Sequence, residues 1–102
     1  MDIVRHRVPG LRAPFVLVLQ HHDISASTRI VAPVTVSGPT ETAILSPEFE
    51  VNGRSVRARM LDITAVPRSL LLETVGSAQD EADAILNALD IILQSYPIGR
   101  PR

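Results

Sequence analysis

Few residues in this chain are of the type that performs chemistry. His21, His22 and Asp23 stand together, and His6 is the one further imidazole. Neighbours on a strand point to opposite faces, so His21 and His22 do not turn to one ion, and the group reads as a solvated strand end. Arg57 and Arg59 share one face of a strand, where two guanidinium groups grip a phosphate or an acidic partner. Glu48 and Glu50 on the facing strand would balance them, so an exposed, charge-paired strand face is the simpler reading. No Ser-His-Asp order, glycine-rich phosphate loop or paired-carboxylate motif stands out, and neither a metal nor a cofactor is expected.

The composition narrows the classes further. At 102 residues the chain is expected to be a single domain, residues 1–102. It has no Cys, so disulfides and thiolate metal sites are excluded. Asp2, Arg5 and Arg7 lie where a signal peptide needs an apolar run, and no stretch approaches the roughly 20 apolar residues that cross a bilayer. A cytoplasmic protein with no membrane partner is the expectation. A net charge of −1 points away from direct nucleic-acid binding. The aromatics Phe15, Phe49 and Tyr96 are too few to stack bases. All ten basic residues are Arg, which reads as coding bias.

The elements that would position these residues are mostly strands. Residues 14–20 form a continuous apolar run, the pattern of a strand buried on both sides, and residues 29–36 read as a second strand. Pro33 within it implies an edge or a bulge, because proline cannot donate to a ladder. Residues 37–39 read as a turn. Asn52-Gly53 between residues 48–51 and 54–60 is the preferred pair for a two-residue type I′ hairpin. Val56, Ala58 and Met60 alternate there with Arg57 and Arg59, giving one apolar and one basic face. Residues 65–67 read as a break and residues 69–75 as another strand.

A C-terminal helix is expected over residues 77–94, opened by a capping box of Ser77 and Asp80. Its stripe is Ala82, Ile85, Leu86, Leu89, Ile92 and Leu93, with Asp83, Asn87, Asp90 and Gln94 opposite. Pro97 stops it, and residues 97–102 read as a flexible tail. The pattern predicts a mainly β fold with a C-terminal α-helix, a small, partly open barrel with the helix packed beside it.

Three segments in order resemble the CcdB toxin family, the toxins of bacterial type II toxin-antitoxin modules that act on DNA gyrase. Residues 15–20 followed by residues 29–34, with their Arg and Pro, look like the family's paired strands. Residues 52–62 and then Ala65-Val66-Pro67-Arg68-Ser69-Leu70 look like its central hairpin and following strand, and residues 84–93 look like its terminal helix. The resemblance implies an SH3-like barrel of the CcdB/MazF-like toxin fold, assembled as a homodimer, with a CcdA-like antitoxin and the DNA gyrase A subunit as partners. It implies a non-enzymatic mechanism: the helix end inserts between gyrase subunits and traps the enzyme on cleaved DNA, so activity rests on preferring one state of the target.

By that resemblance the target-binding residues are Asp90, Leu93, Gln94, Ser95 and Tyr96 at the helix end, with His22 and Asp23 in the flanking loop. The family's best-known poisons end on Trp-Gly-Ile, where this chain has Gln94, Ser95 and Tyr96 followed by six more residues. Two alternatives accompany this departure. One is a MazF-like, sequence-specific endoribonuclease, in which Arg57 or Arg59 stabilises charge at the scissile phosphate and Asp62 or Thr64 assists. The other is an inactive, toxin-like protein that only binds antitoxin.

Overall fold

The computed structural model describes residues 1–19, 26–36 and 43–95. Among them seven strands precede a single α-helix: β1 (Asp2–His6), β2 (Phe15–Val18), β3 (Thr28–Val36), β4 (Glu48–Val51), β5 (Arg54–Ala58), β6 (Thr64–Pro67), β7 (Leu71–Ser77) and α1 (Ala82–Ser95). Short 3₁₀ turns occupy Ala43–Leu45, Met60–Asp62, Arg68–Leu70 and Gln79–Glu81. The sheet runs β4-β5-β3-β2-β1-β7, and β6 pairs with β3 off that path. Every strand pair is antiparallel. The edges curl towards one another: a Cβ on Gly76 of β7 would stand 3.8 Å from Val51 Cγ1 of β4, in ordinary van der Waals contact. The result is the partly open barrel expected from the sequence, with α1 beside it.

The apolar run of β2 is buried on both faces, as its continuity predicts. Val16 and Leu17 are both fully buried, but on opposite sides. Leu17 joins Ile3, Ala32, Val34, Val56, Met60, Ile85 and Ala88 in the core that α1 covers. Val16 joins Val4, Val31 and Val66 in a smaller cluster on the other face, where Val8 and Leu11 pack. The segment carrying Val8 and Leu11 is clipped by His6, whose Nε2–H donates to the Ala13 carbonyl at 2.6 Å while its Nδ1 accepts the Val8 N–H at 3.0 Å. That histidine therefore holds a loop, with both ring nitrogens used.

Asn52-Gly53 forms the expected hairpin. Both residues have positive φ, 52° and 80°, and Val51 pairs with Arg54. Val56, Ala58 and Met60 are buried while Arg59 is exposed and Arg57 half-buried, so the alternation places each side chain on its expected face.

The charged N-terminal residues, to which the sequence pattern assigns no element, form a strand, because β1 completes the sheet between β2 and β7 with Ile3 and Val4 buried on its two faces. Three expectations are corrected. The break at residues 65–67 is instead β6, paired with the first half of β3. Pro33 marks neither an edge nor a bulge. It lies where β3 exchanges one partner for another, β6 pairing with residues up to Val31 and β5 with residues from Val34, so the missing N–H interrupts no ladder on that side. Its carbonyl accepts the Arg59 N–H at 2.8 Å.

The third correction is the helix start. Ser77 belongs to β7, paired with Asp2, and its Oγ accepts the Gln79 N–H at 3.2 Å. A 3₁₀ turn over Gln79–Glu81 follows, and α1 begins only at Ala82. The strand before it likewise starts at Leu71, because Arg68–Leu70 is a 3₁₀ turn. The turn predicted at residues 37–39 and the tail at residues 97–102 lie outside the described residues.

Candidate partner-binding surface

The helical stripe is wider than the barrel covers. Ile85 and Ala88 are fully buried, and Leu89 and Ile92 pack on the core while half-buried. Leu86 is 52% and Leu93 68% exposed. The two expected core leucines instead form an apolar ridge one heptad long on the solvent side of the contact. Asp83 and Asp90, also one heptad apart, run beside that ridge, and both are exposed.

Next to Leu93 opens a groove of about 540 Å³. One wall is Leu89, Ile92 and Leu93 of α1, and the other is Ile30 of β3 with Met60 and Leu61 of the 3₁₀ turn. Leu19 and Ile63 also line it. Every described side chain that lines it is apolar, which suits an apolar occupant. The surface comes from four separate parts of the chain, which is why sequence reading missed it. One local signal existed: β3 buries Arg29 to 8% while leaving the neighbouring Ile30 41% exposed, an inverted alternation. Arg29 is held inward by its guanidinium, which donates to the carbonyls of Ala26 at 2.7 Å and Thr28 at 3.0 Å.

The sites expected from the sequence are partly assembled. Asp90, Leu93 and Gln94 lie together on the exposed end of α1, and Leu93 also borders the groove. Ser95 is the last residue of α1. Tyr96, His22 and Asp23 lie outside the described residues.

The basic pair diverges. Arg57 donates to the Ser46 carbonyl at 2.8 Å and faces Glu48 at 3.8 Å, fastening the segment before β4 to β5. Glu48 also accepts the Ser55 hydroxyl at 2.8 Å, whereas Glu50 stands opposite Ser55 in register and has no arginine across from it. Arg59 turns to Asp62, its Nε donating to Oδ2 at 2.8 Å. Thr64 is exposed at the start of β6. Arg57 is thus a structural fastener, and Arg59, Asp62 and Thr64 are the members of that set open to solvent.

A curled antiparallel sheet with a C-terminal helix packed beside it defines a barrel of the CcdB/MazF-like toxin fold. The family model described as CcdB protein matches residues 4–95, and the chain belongs to that family, the toxins of toxin-antitoxin modules. The Mycobacterium tuberculosis toxin MazF-mt6 has a similar structure, with a TM-score of 0.68 and 20% identity over 88% of this chain and 97% of that one. At that identity the likeness shows the shared fold. No curated protein matches the chain by sequence. Among the described residues no helix is long and apolar enough to cross a membrane.

Proposed function

We propose that this chain is the toxin of a type II toxin-antitoxin module that acts in the cytoplasm, binds the A subunit of DNA gyrase through the end of α1, and poisons it without chemistry of its own. The observation that carries this reading is the family match over residues 4–95, together with a helix end that leaves Asp90, Leu93 and Gln94 exposed for a partner. Ser95 and Tyr96 extend the same contact, and His22 and Asp23 flank it. Tyr96 takes the aromatic role that the family's Trp-Gly-Ile end performs elsewhere, since Tyr is among the side chains enriched at binding hot spots. The active form is a homodimer, neutralised by a CcdA-like antitoxin whose disordered segment folds on contact.

The test is direct. Purified protein added to gyrase and plasmid DNA is expected to block supercoiling and accumulate cleaved complexes; undisturbed supercoiling with no cleaved complex removes the gyrase target.

The fold shared with MazF-mt6 supports a second reading, an endoribonuclease using Arg59 with Asp62 or Thr64. It predicts cuts in single-stranded RNA at a preferred short sequence. Intact RNA at high protein concentration eliminates it. Growth arrest on induction in a bacterial host separates both readings from an inactive protein that only binds antitoxin.

A further inference from the structure

A second hollow, of about 530 Å³, opens where the start of β3 meets the end of β6, and the described residues that line it are Ser27, Thr28, Pro67, Arg68 and Ser69. Backbone pairing fixes both walls. Thr28 stands opposite Pro67 in register, and the Arg68 N–H donates to the Ser27 carbonyl at 2.8 Å. The pairing therefore holds three hydroxyls and one guanidinium around a single opening, and every one of these groups can donate a hydrogen bond. Among the described residues no carboxylate pairs with Arg68.

A second cation backs the wall formed by β3. Arg29 is 8% exposed, and its guanidinium donates to the carbonyls of Ala26 and Thr28 with no carboxylate beside it among the described residues. A buried charge met only by carbonyl dipoles still favours an anion nearby. No Asp or Glu occurs in residues 24–40 or 63–72, so the two segments that build the hollow are positive although the whole chain is not.

We propose that this hollow binds a phosphate group carried on a small molecule. The Arg68 guanidinium meets two phosphate oxygens through its paired N–H groups, and the hydroxyls of Ser27, Thr28 and Ser69 donate to the remaining lone pairs. Arg29 adds its charge from behind the strand without touching the ligand. The volume is that of a small-molecule site. The site uses none of the residues assigned to the end of α1, and none of Arg59, Asp62 and Thr64, so it is independent of either reading of the target.

Titration of the full chain with inorganic phosphate, followed through its amide NMR signals in a buffer free of other oxyanions, tests this. The amides of Ser27, Thr28, Arg68 and Ser69 are expected to shift and saturate, while chloride at matched ionic strength leaves them in place. Arg68→Gln is expected to weaken binding about tenfold or more, with urea unfolding unchanged because the side chain is exposed. Adenosine monophosphate is expected to bind at the same amides more tightly than phosphate, and adenosine not at all. Shifts that track ionic strength without saturating overturn the proposal, as do saturating shifts confined to other residues or an affinity unchanged in Arg68→Gln. A single-stranded oligonucleotide that binds far more tightly than adenosine monophosphate assigns the hollow to a nucleic-acid backbone and overturns the small-molecule source. A gyrase or RNA-cleavage assay that fails leaves these readings untouched.

Discussion

Arg59 Nε and Asp62 Oδ2 stand 2.8 Å apart, an ion pair three residues long that leaves each side chain 52% exposed. Water and salt screen such a pair, so Arg59→Ala is expected to lower stability by less than about 1 kcal/mol in urea unfolding. Under the gyrase reading the variant keeps its toxicity in a growth assay. Loss of toxicity with unchanged unfolding would instead place Arg59 in the working site and favour RNA as the target.

Ile85 and Leu93 both looked like core residues, yet one is fully buried and the other 68% exposed. Ile85→Ala is expected to cost about 2 to 5 kcal/mol, because it opens a cavity between α1 and the barrel. Leu93→Ala is expected to change stability by no more than about 0.5 kcal/mol. Equal losses for the two in chemical denaturation would contradict the placement of α1.

Gly53 holds a φ of 80° in the hairpin turn, and a Cβ added there would meet no atom within 4 Å. Space is therefore not the constraint; backbone conformation is. Gly53→Ala is expected to destabilise the protein by about 1 to 2 kcal/mol, the cost of holding an L-residue in the left-handed region. Thermal unfolding checks this.

Glu73 pairs with Arg5 at 2.9 Å across β1 and β7. Hydrogen bonding from its own backbone holds its carboxyl below the ordinary value of 4.5; desolvation opposes this, and the charge and hydrogen bond of Arg5 reinforce it. A carboxylate with a depressed folded pKa stabilises the fold above its unfolded pKa, and that contribution is lost as pH falls through the folded value. Glu73→Gln is therefore expected to flatten the stability profile below about pH 4.5, measured by unfolding at a series of pH values. A profile identical to that of the native chain would count against it.

His6 spends both ring nitrogens on the loop that covers Val4, Val16, Val31 and Val66. His6→Phe keeps an aromatic ring but leaves the Val8 N–H and the Ala13 carbonyl without these partners. A loss of about 1 to 3 kcal/mol is expected, with faster hydrogen exchange at Val8 as the local signature.

The parts of the fold that sequence reading recovered are those whose cause is local. Asn52-Gly53 requires two positive φ values whatever surrounds it, and the β2 run is apolar at every position because both faces are covered. β1 and β6 escaped because their partners are remote: Asp2 pairs with Ser77, and Thr28 with Pro67. Neither segment has a strong strand pattern of its own, and the sheet supplies the structure that their residues do not demand.

Residue types and their spacing alone determined the class of the molecule: antiparallel strands, a closing amphipathic helix and family motifs in register. Tertiary structure decided what that helix offers. Periodicity assigns Leu86 and Leu93 to the same stripe as Ile85, but periodicity does not say how wide a stripe the barrel covers. The barrel covers Ile85 and Ala88, and leaves Leu86 and Leu93 to solvent beside two aspartates. The groove likewise exists only because packing brings Leu19, Ile30, Leu61 and Leu93 together from distant parts of the chain, and contacts of that range have no signature in a local pattern.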